Sequence, residues 1–131
     1  MAKPARNADP DKIVSSARTF FVTTKTSQGR LLLQPERNAT LMIDVLRGYV
    51  AAGKFRVHDF VVMPNYVHLL MTVGADMTIE RAMQLIKGRF SYRLKKEFGY
   101  MGEVWQRGFS EERVKDRQSF LHHREYIART R

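Results

Sequence analysis

Tyr66 and His68 stand two residues apart in the run Pro64-Asn65-Tyr66-Val67-His68-Leu69-Leu70-Met71, which otherwise reads as a buried strand. Side chains at i and i+2 of a strand share a face. A phenol and an imidazole therefore project together from a rigid sheet, an arrangement that can mount a metal or phosphate site. Val67, Leu69, Met71 and Val73 on the other face are continuously apolar, so that face is the core side. His68 falls with Tyr66, Leu70 and Thr72 on the opposite face, away from the helices. A single strand histidine is, by itself, more often structural than functional.

The last segment supplies a second group. If it is helical, Phe120, Leu121, Ile127 and Ala128 cluster on one arc and should bury. Tyr126 then lies on the far side, flanked by His122 and His123, with Thr130 one turn further along. A phenol there is a candidate nucleophile, although a tyrosine off the apolar arc of a terminal helix is commonly inert.

The elements that would position these groups follow from patterning. Arg18 to Thr26 is β-rich, and Ser27-Gln28-Gly29 turns the chain. Leu31 to Leu33 is a short apolar patch, and Pro35 precedes a helix expected from about Asn38 to Ala52. Leu41, Val45, Leu46 and Tyr49 recur at helical spacing within it, and Gly53 is a C-terminal stop. Phe55 to Met63 and Tyr66 to Val73 read as two strands joined at Pro64-Asn65. Thr78 caps a long helix, Ile79 to Phe98, in which Met83, Ile86, Phe90, Leu94 and Phe98 share a face. A loop over Gly99 to Gly102 leads to a fourth strand expected at Val104 to Phe109, and Asp116 caps the last helix. The order β, α, β, β, α, β, α predicts an α+β, ferredoxin-like antiparallel sheet of four to five strands with helices on one face.

At 131 residues the chain is one domain. Met1 to Pro10 lacks an apolar signal core, so residues 1–15 read as a disordered leader and 16–131 as the domain. Absence of cysteine excludes disulfides and thiolate metal sites and fits a reducing cytosol. No apolar run approaches the roughly 18 residues of a membrane span. The formal charge of +10 favours a polyanionic partner, and the excess of Lys and Arg is shared by both halves of the chain. Arg89, Arg93 and Lys96 fall within one arc of the long helix and could contact phosphates; a solvated helix face is the alternative. Trp105, Tyr92, Tyr100 and Phe109 could stack on splayed bases, with core packing the better expectation for at least two of them.

The 64–71 run resembles the metal-binding strand of the HUH single-tyrosine transposases, above all the REP-associated tyrosine transposases, whose usual text is Met-Pro-Asx-His-Val-His-Leu-Leu. Tyr66 stands where that pattern has its first histidine. Tyr126-Ile127-Ala128-Arg129 is similar to the family's Tyr-Ile-x-x-Asn-Pro segment, with Thr130 and Arg131 in place of Asn and Pro. Arg18-Thr19-Phe20-Phe21-Val22-Thr23, Ile86-Lys87-Gly88-Arg89-Phe90-Ser91-Tyr92-Arg93 and Trp105-Gln106-Arg107-Gly108-Phe109 look like the same family, so the resemblance spans nearly the whole chain.

The resemblance implies that Tyr126 attacks a DNA phosphodiester to form a 5′-phosphotyrosine link and free a 3′-hydroxyl. It implies a divalent metal, Mg²⁺ or Mn²⁺, held by two histidines and an amide or carboxylate. His68 matches the second ligand, Tyr66 replaces the first, and Thr130 is a weak substitute for the third. It further implies a partner DNA made of an imperfect hairpin with a single-stranded guide, contacted through Arg89, Arg93, Lys96, Lys87 and Arg107, and a cytoplasmic, nucleoid-associated location. A monomer acting in cis and a dimer exchanging its tyrosine helix both remain open. The expectation is a transposase whose nicking is impaired by Tyr66. The alternatives are a non-catalytic binder of structured single-stranded nucleic acid and a ferredoxin-like protein-interaction module.

Overall fold

The structure, a computed structural model, describes residues 17–131. The leader expected over 1–15 lies outside the described residues. Strand β1 (Arg18–Lys25) leads through a short 3-10 turn at Ser27–Gly29 to helix α1 (Glu36–Ala51). Strands β2 (Arg56–Met63) and β3 (Tyr66–Val73) form a hairpin, followed by helix α2 (Ile79–Phe98), strand β4 (Ser110–Val114) and helix α3 (Arg117–Thr130). The four strands make one antiparallel sheet in the order β2-β3-β1-β4, so the α+β, ferredoxin-like expectation stands with four strands. Among the described residues no helix is long and apolar enough to cross a membrane.

Alternation along each strand separates two cores. Phe20, Val22, Val67, Leu69, Met71 and Val73 face α1 and α2, which bring Leu41, Met42, Val45, Leu46, Met83, Ile86, Phe90 and Leu94 into the main core. The Thr78 side chain accepts a hydrogen bond from Arg81 N at 3.0 Å at the start of α2, and Gly99, at φ 68°, ends it in the left-handed region. On the reverse face Val61, Leu70, Val114 and Ile127 form a second, smaller cluster with Phe21, Met63 and Phe120. Helix α3 is thus on the opposite side of the sheet from α1 and α2. The expectation of helices on one face holds for the first two only, because Phe21, Val61 and Leu70 make the reverse face apolar as well and require a cover of their own.

The fourth strand is displaced from its expected place at Val104 to Phe109. Val104 and Trp105 are buried in the main core, Trp105 Nε1 donates to Lys87 O at 3.0 Å, and a single bridge joins Trp105 to Thr26. Gly108, at φ 79°, then redirects the chain, and pairing with β1 begins at Ser110. Apolarity in this stretch marks a loop packed on a helix.

Candidate functional site

Register sets the site. Thr23 pairs with His68 and Lys25 with Tyr66 across β1 and β3, while Val61 of β2 faces His68 from the other flank. Thr23 Oγ1 and His68 Nδ1 share a hydrogen bond of 2.8 Å, which fixes the imidazole plane. The Tyr66 ring lies 4.8 Å from the His68 ring, centroid to centroid, and the Phe21 ring 5.1 Å. Helix α3 then lowers Tyr126 onto this group, 5.6 Å from His68 and 6.1 Å from Phe21. Tyr126 remains 45% exposed, whereas His68 is buried beneath the helix. Burial holds the His68 pKa below its ordinary value, so the ring is neutral near pH 7.

The structure therefore brings together the residues expected from sequence at this face, Tyr66, His68 and Tyr126. It alters their setting in two ways. His68 was expected on an open face and is covered, because α3 lies across it. The buried arc of α3 is also different: Ile127 buries as expected, but Leu121 points outward and His123 turns in. His123 stacks on Phe21 at 4.5 Å and pairs through Nε2 with Glu112 Oε2 at 3.2 Å. A flat ring partner and a carboxylate make this half-turn favour an imidazole over leucine. Thr130 Oγ1 donates to Tyr126 O at 2.8 Å, so its hydroxyl caps the helix end. The guanidinium of Arg131 pairs with Asp59 of β2 and anchors the end of α3 to the sheet.

A second hydrogen-bonded group, partly open to solvent, lies beside the other end of α3. His58 Nε2 shares a 2.6 Å hydrogen bond with Thr72 Oγ1, which shares another of 2.6 Å with Thr19 Oγ1. His58 sits at the β-bulge of β2, edge-on to Phe120 at 5.2 Å. Its pKa is lowered by burial first, then by the charges of Arg56 and Arg124.

The expected DNA contacts are dispersed. Arg89, Arg93 and Lys96 lie on α2, across the sheet from Tyr126. Arg93 is not a free cation: it pairs with Asp44 at 2.7 Å and with Glu97, tying α1 to α2. Lys87 donates from Nζ to Gly108 O at 2.7 Å and Gln106 O at 3.2 Å, stapling the 106–108 loop. Arg107 is exposed on that loop, whose Gln106 N donates to Lys25 O at 2.9 Å at the Tyr66 end of the sheet. Among the aromatic candidates Trp105 is core, Tyr100 and Phe109 flank it, and Tyr92 is open to solvent.

The sequence profile of the IS200-like transposases matches residues 17–130. The chain belongs to the IS200-like transposase family. No match was found among curated proteins. Among solved structures, the chain is similar to a REP-associated tyrosine transposase bound to a REP hairpin, with TM-score 0.64 and 23% identity over 97% of this chain and 70% of that one. It is similar also to a candidate transposase of Deinococcus radiodurans R1, with TM-score 0.68 and 19% identity over 98% and 97% of the two chains.

Transposases of this family generally use a divalent metal, and the donors here do not fit one. Among the described residues no group of three His, Cys, Asp or Glu converges on a point. Besides His123, which pairs with Glu112, the groups around Tyr126 are the His68 imidazole, two phenols and a threonine hydroxyl already bonded to a carbonyl. Mg²⁺ and Mn²⁺ select carboxylates, carbonyls and water, and a neutral phenol is a poor substitute. The carboxylates of this face, Asp59 and Glu112, are engaged by Arg131 and His123.

Proposed function

We propose that this transposase binds single-stranded DNA beside a hairpin and holds its tyrosine site in a form that cleaves weakly or not at all. One observation carries the reading: Tyr126 meets His68 over the sheet, 5.6 Å between ring centroids, where the carboxylates Asp59 and Glu112 are already paired and the other nearby groups include hydroxyls of Tyr66 and Thr23. The partner class is supported by the formal charge of +10 and by the solved relative that holds a REP hairpin.

The chemistry open to the site is transesterification. Tyr126 Oη attacks phosphorus of a phosphodiester; the Oη–P bond forms, the P–O3′ bond breaks, the phenolic proton is lost and the 3′-oxygen gains one. The phosphotyrosine keeps the bond energy, so rejoining needs no nucleotide cofactor. Attack by a neutral phenol is slow, and charge developing on the phosphoryl oxygens needs stabilisation. Loss of one histidine from a metal site weakens ion binding by about a hundredfold, on the scale seen for lost supporting contacts.

The test is incubation with a hairpin bearing a single-stranded flank, in Mn²⁺. The unaltered chain should shift the DNA in a native gel yet give little denaturation-resistant adduct, and Tyr66→His should give adduct at Tyr126. Abundant adduct from the unaltered chain would refute the impaired site, and failure to bind the DNA at moderate salt would favour a protein-interaction module.

A further inference from the structure

We propose that Lys25 supplies the fixed positive charge at this site, so that an ammonium holds the single-stranded phosphodiester chain at Tyr126 where the donors do not fit a divalent ion. The inference rests on the reading that this face binds single-stranded DNA.

Alternation on β1 places Thr19, Phe21, Thr23 and Lys25 in one row. Phe21 and Thr23 belong to the Tyr126 site by direct contact, 6.1 Å from the Tyr126 ring and 2.8 Å from His68 Nδ1, so Lys25 is the next side chain of that row. It is also the cross-strand partner of Tyr66. Such partners have Cβ atoms about 5 Å apart, and a lysine stem extends about 6 Å, so the ammonium sweeps the space above the Tyr66 ring. The row passes from covered to open: Phe21 and Thr23 are partly buried, and Lys25 is exposed at the rim.

The backbone at this point is fixed while the side chain is free. Gln106 N donates to Lys25 O at 2.9 Å, and Thr26 N donates to Asn65 O at 3.0 Å. Among the described residues Lys25 enters no ion pair, unlike Arg93, Arg129 and Arg131. Lysine binds phosphate as a point charge. One exposed monovalent charge strengthens binding modestly, about fivefold, and supports a transferring phosphoryl group far less than a divalent ion. Binding with poor cleavage follows.

The experiment titrates the full chain with a DNA hairpin carrying an oligothymidylate overhang, and with the blunt hairpin, in EDTA, by fluorescence anisotropy. Lys25→Met should weaken overhang binding about fivefold, reduce the salt slope by about 0.7 and leave the blunt hairpin unchanged, with Lys25→Arg close to the unaltered chain. A neutral methylphosphonate moved along the overhang should weaken the unaltered chain most at one linkage, and Lys25→Met should be insensitive there. Equal binding by Lys25→Met, an equal loss on both DNAs, or no linkage at which the two changes overlap would each overturn the proposal. So would a tightening of the unaltered complex by Mn²⁺ that erases the Lys25→Met defect. If the unaltered chain binds neither DNA, the functional reading itself fails, a result distinct from any of these.

Discussion

At the scale of single residues, the site is a set of rings oriented by one short hydrogen bond. Thr23 is the group that stops His68 rotating, and sequence alone does not point to it, because cross-strand register is a property of two strands together. The facing of Tyr66 and His68 was readable from the apolar alternation of Val67, Leu69, Met71 and Val73 within one strand. Lys25 was missed for the same reason as Thr23. The inward turn of His123 was missed because helical spacing ranks leucine above histidine and contains no information about a Phe21 ring waiting beneath. Thr23→Val should lower stability by about 1 kcal/mol in urea denaturation, the ordinary worth of such a bond, and should broaden the His68 ring signals in NMR. A sharp, unshifted His68 spectrum would show that packing by Phe21 and Tyr66 orients the ring unaided.

At the scale of elements, α3 is the least embedded part of the sheet's cover. It is held by Ile127 and Phe120 on the small cluster, by His123 against Phe21 and Glu112, and by Arg131 on Asp59. Ile127→Ala should cost about 2–4 kcal/mol, with amides of α3 exchanging faster while those of β1 and β3 keep their protection. Phe90→Ala in the main core should cost about 3–5 kcal/mol and raise exchange throughout. Equal loss of protection everywhere in both variants would mean that the two clusters melt as one unit. Helix α2 was legible almost to the residue, since Thr78, Gly99 and a five-residue apolar stripe all agree. Strand β4 was not: four of its five residues, Ser110, Glu111, Glu112 and Arg113, are polar and exposed, and only Val114 is buried. Its place as a sheet edge comes from pairing with β1.

For the whole molecule, His68, buried under α3, and the more exposed His58 near the start of that helix both have pKa values held below the ordinary 6.5. The unfolded chain therefore takes up protons first as pH falls, so stability is intact above 6.5 and declines below it, levelling off under the folded-state values. The melting temperature should drop between neutral pH and about pH 5, and His58→Gln with His68→Gln should flatten that decline. An unchanged slope in the double variant would place the acid sensitivity in the carboxylates. The net charge was plain from composition, but its deployment was not, because Arg93 and Lys87 are committed to internal partners. The sheet also acts as a partition. Tyr66 and Tyr126 lie on the side of the sheet opposite α1 and α2, so changes there should leave the main core packed, and catalytic competence can be lost while the scaffold persists. A nuclease in this architecture can decay into a pure DNA reader without passing through a misfolded ancestor.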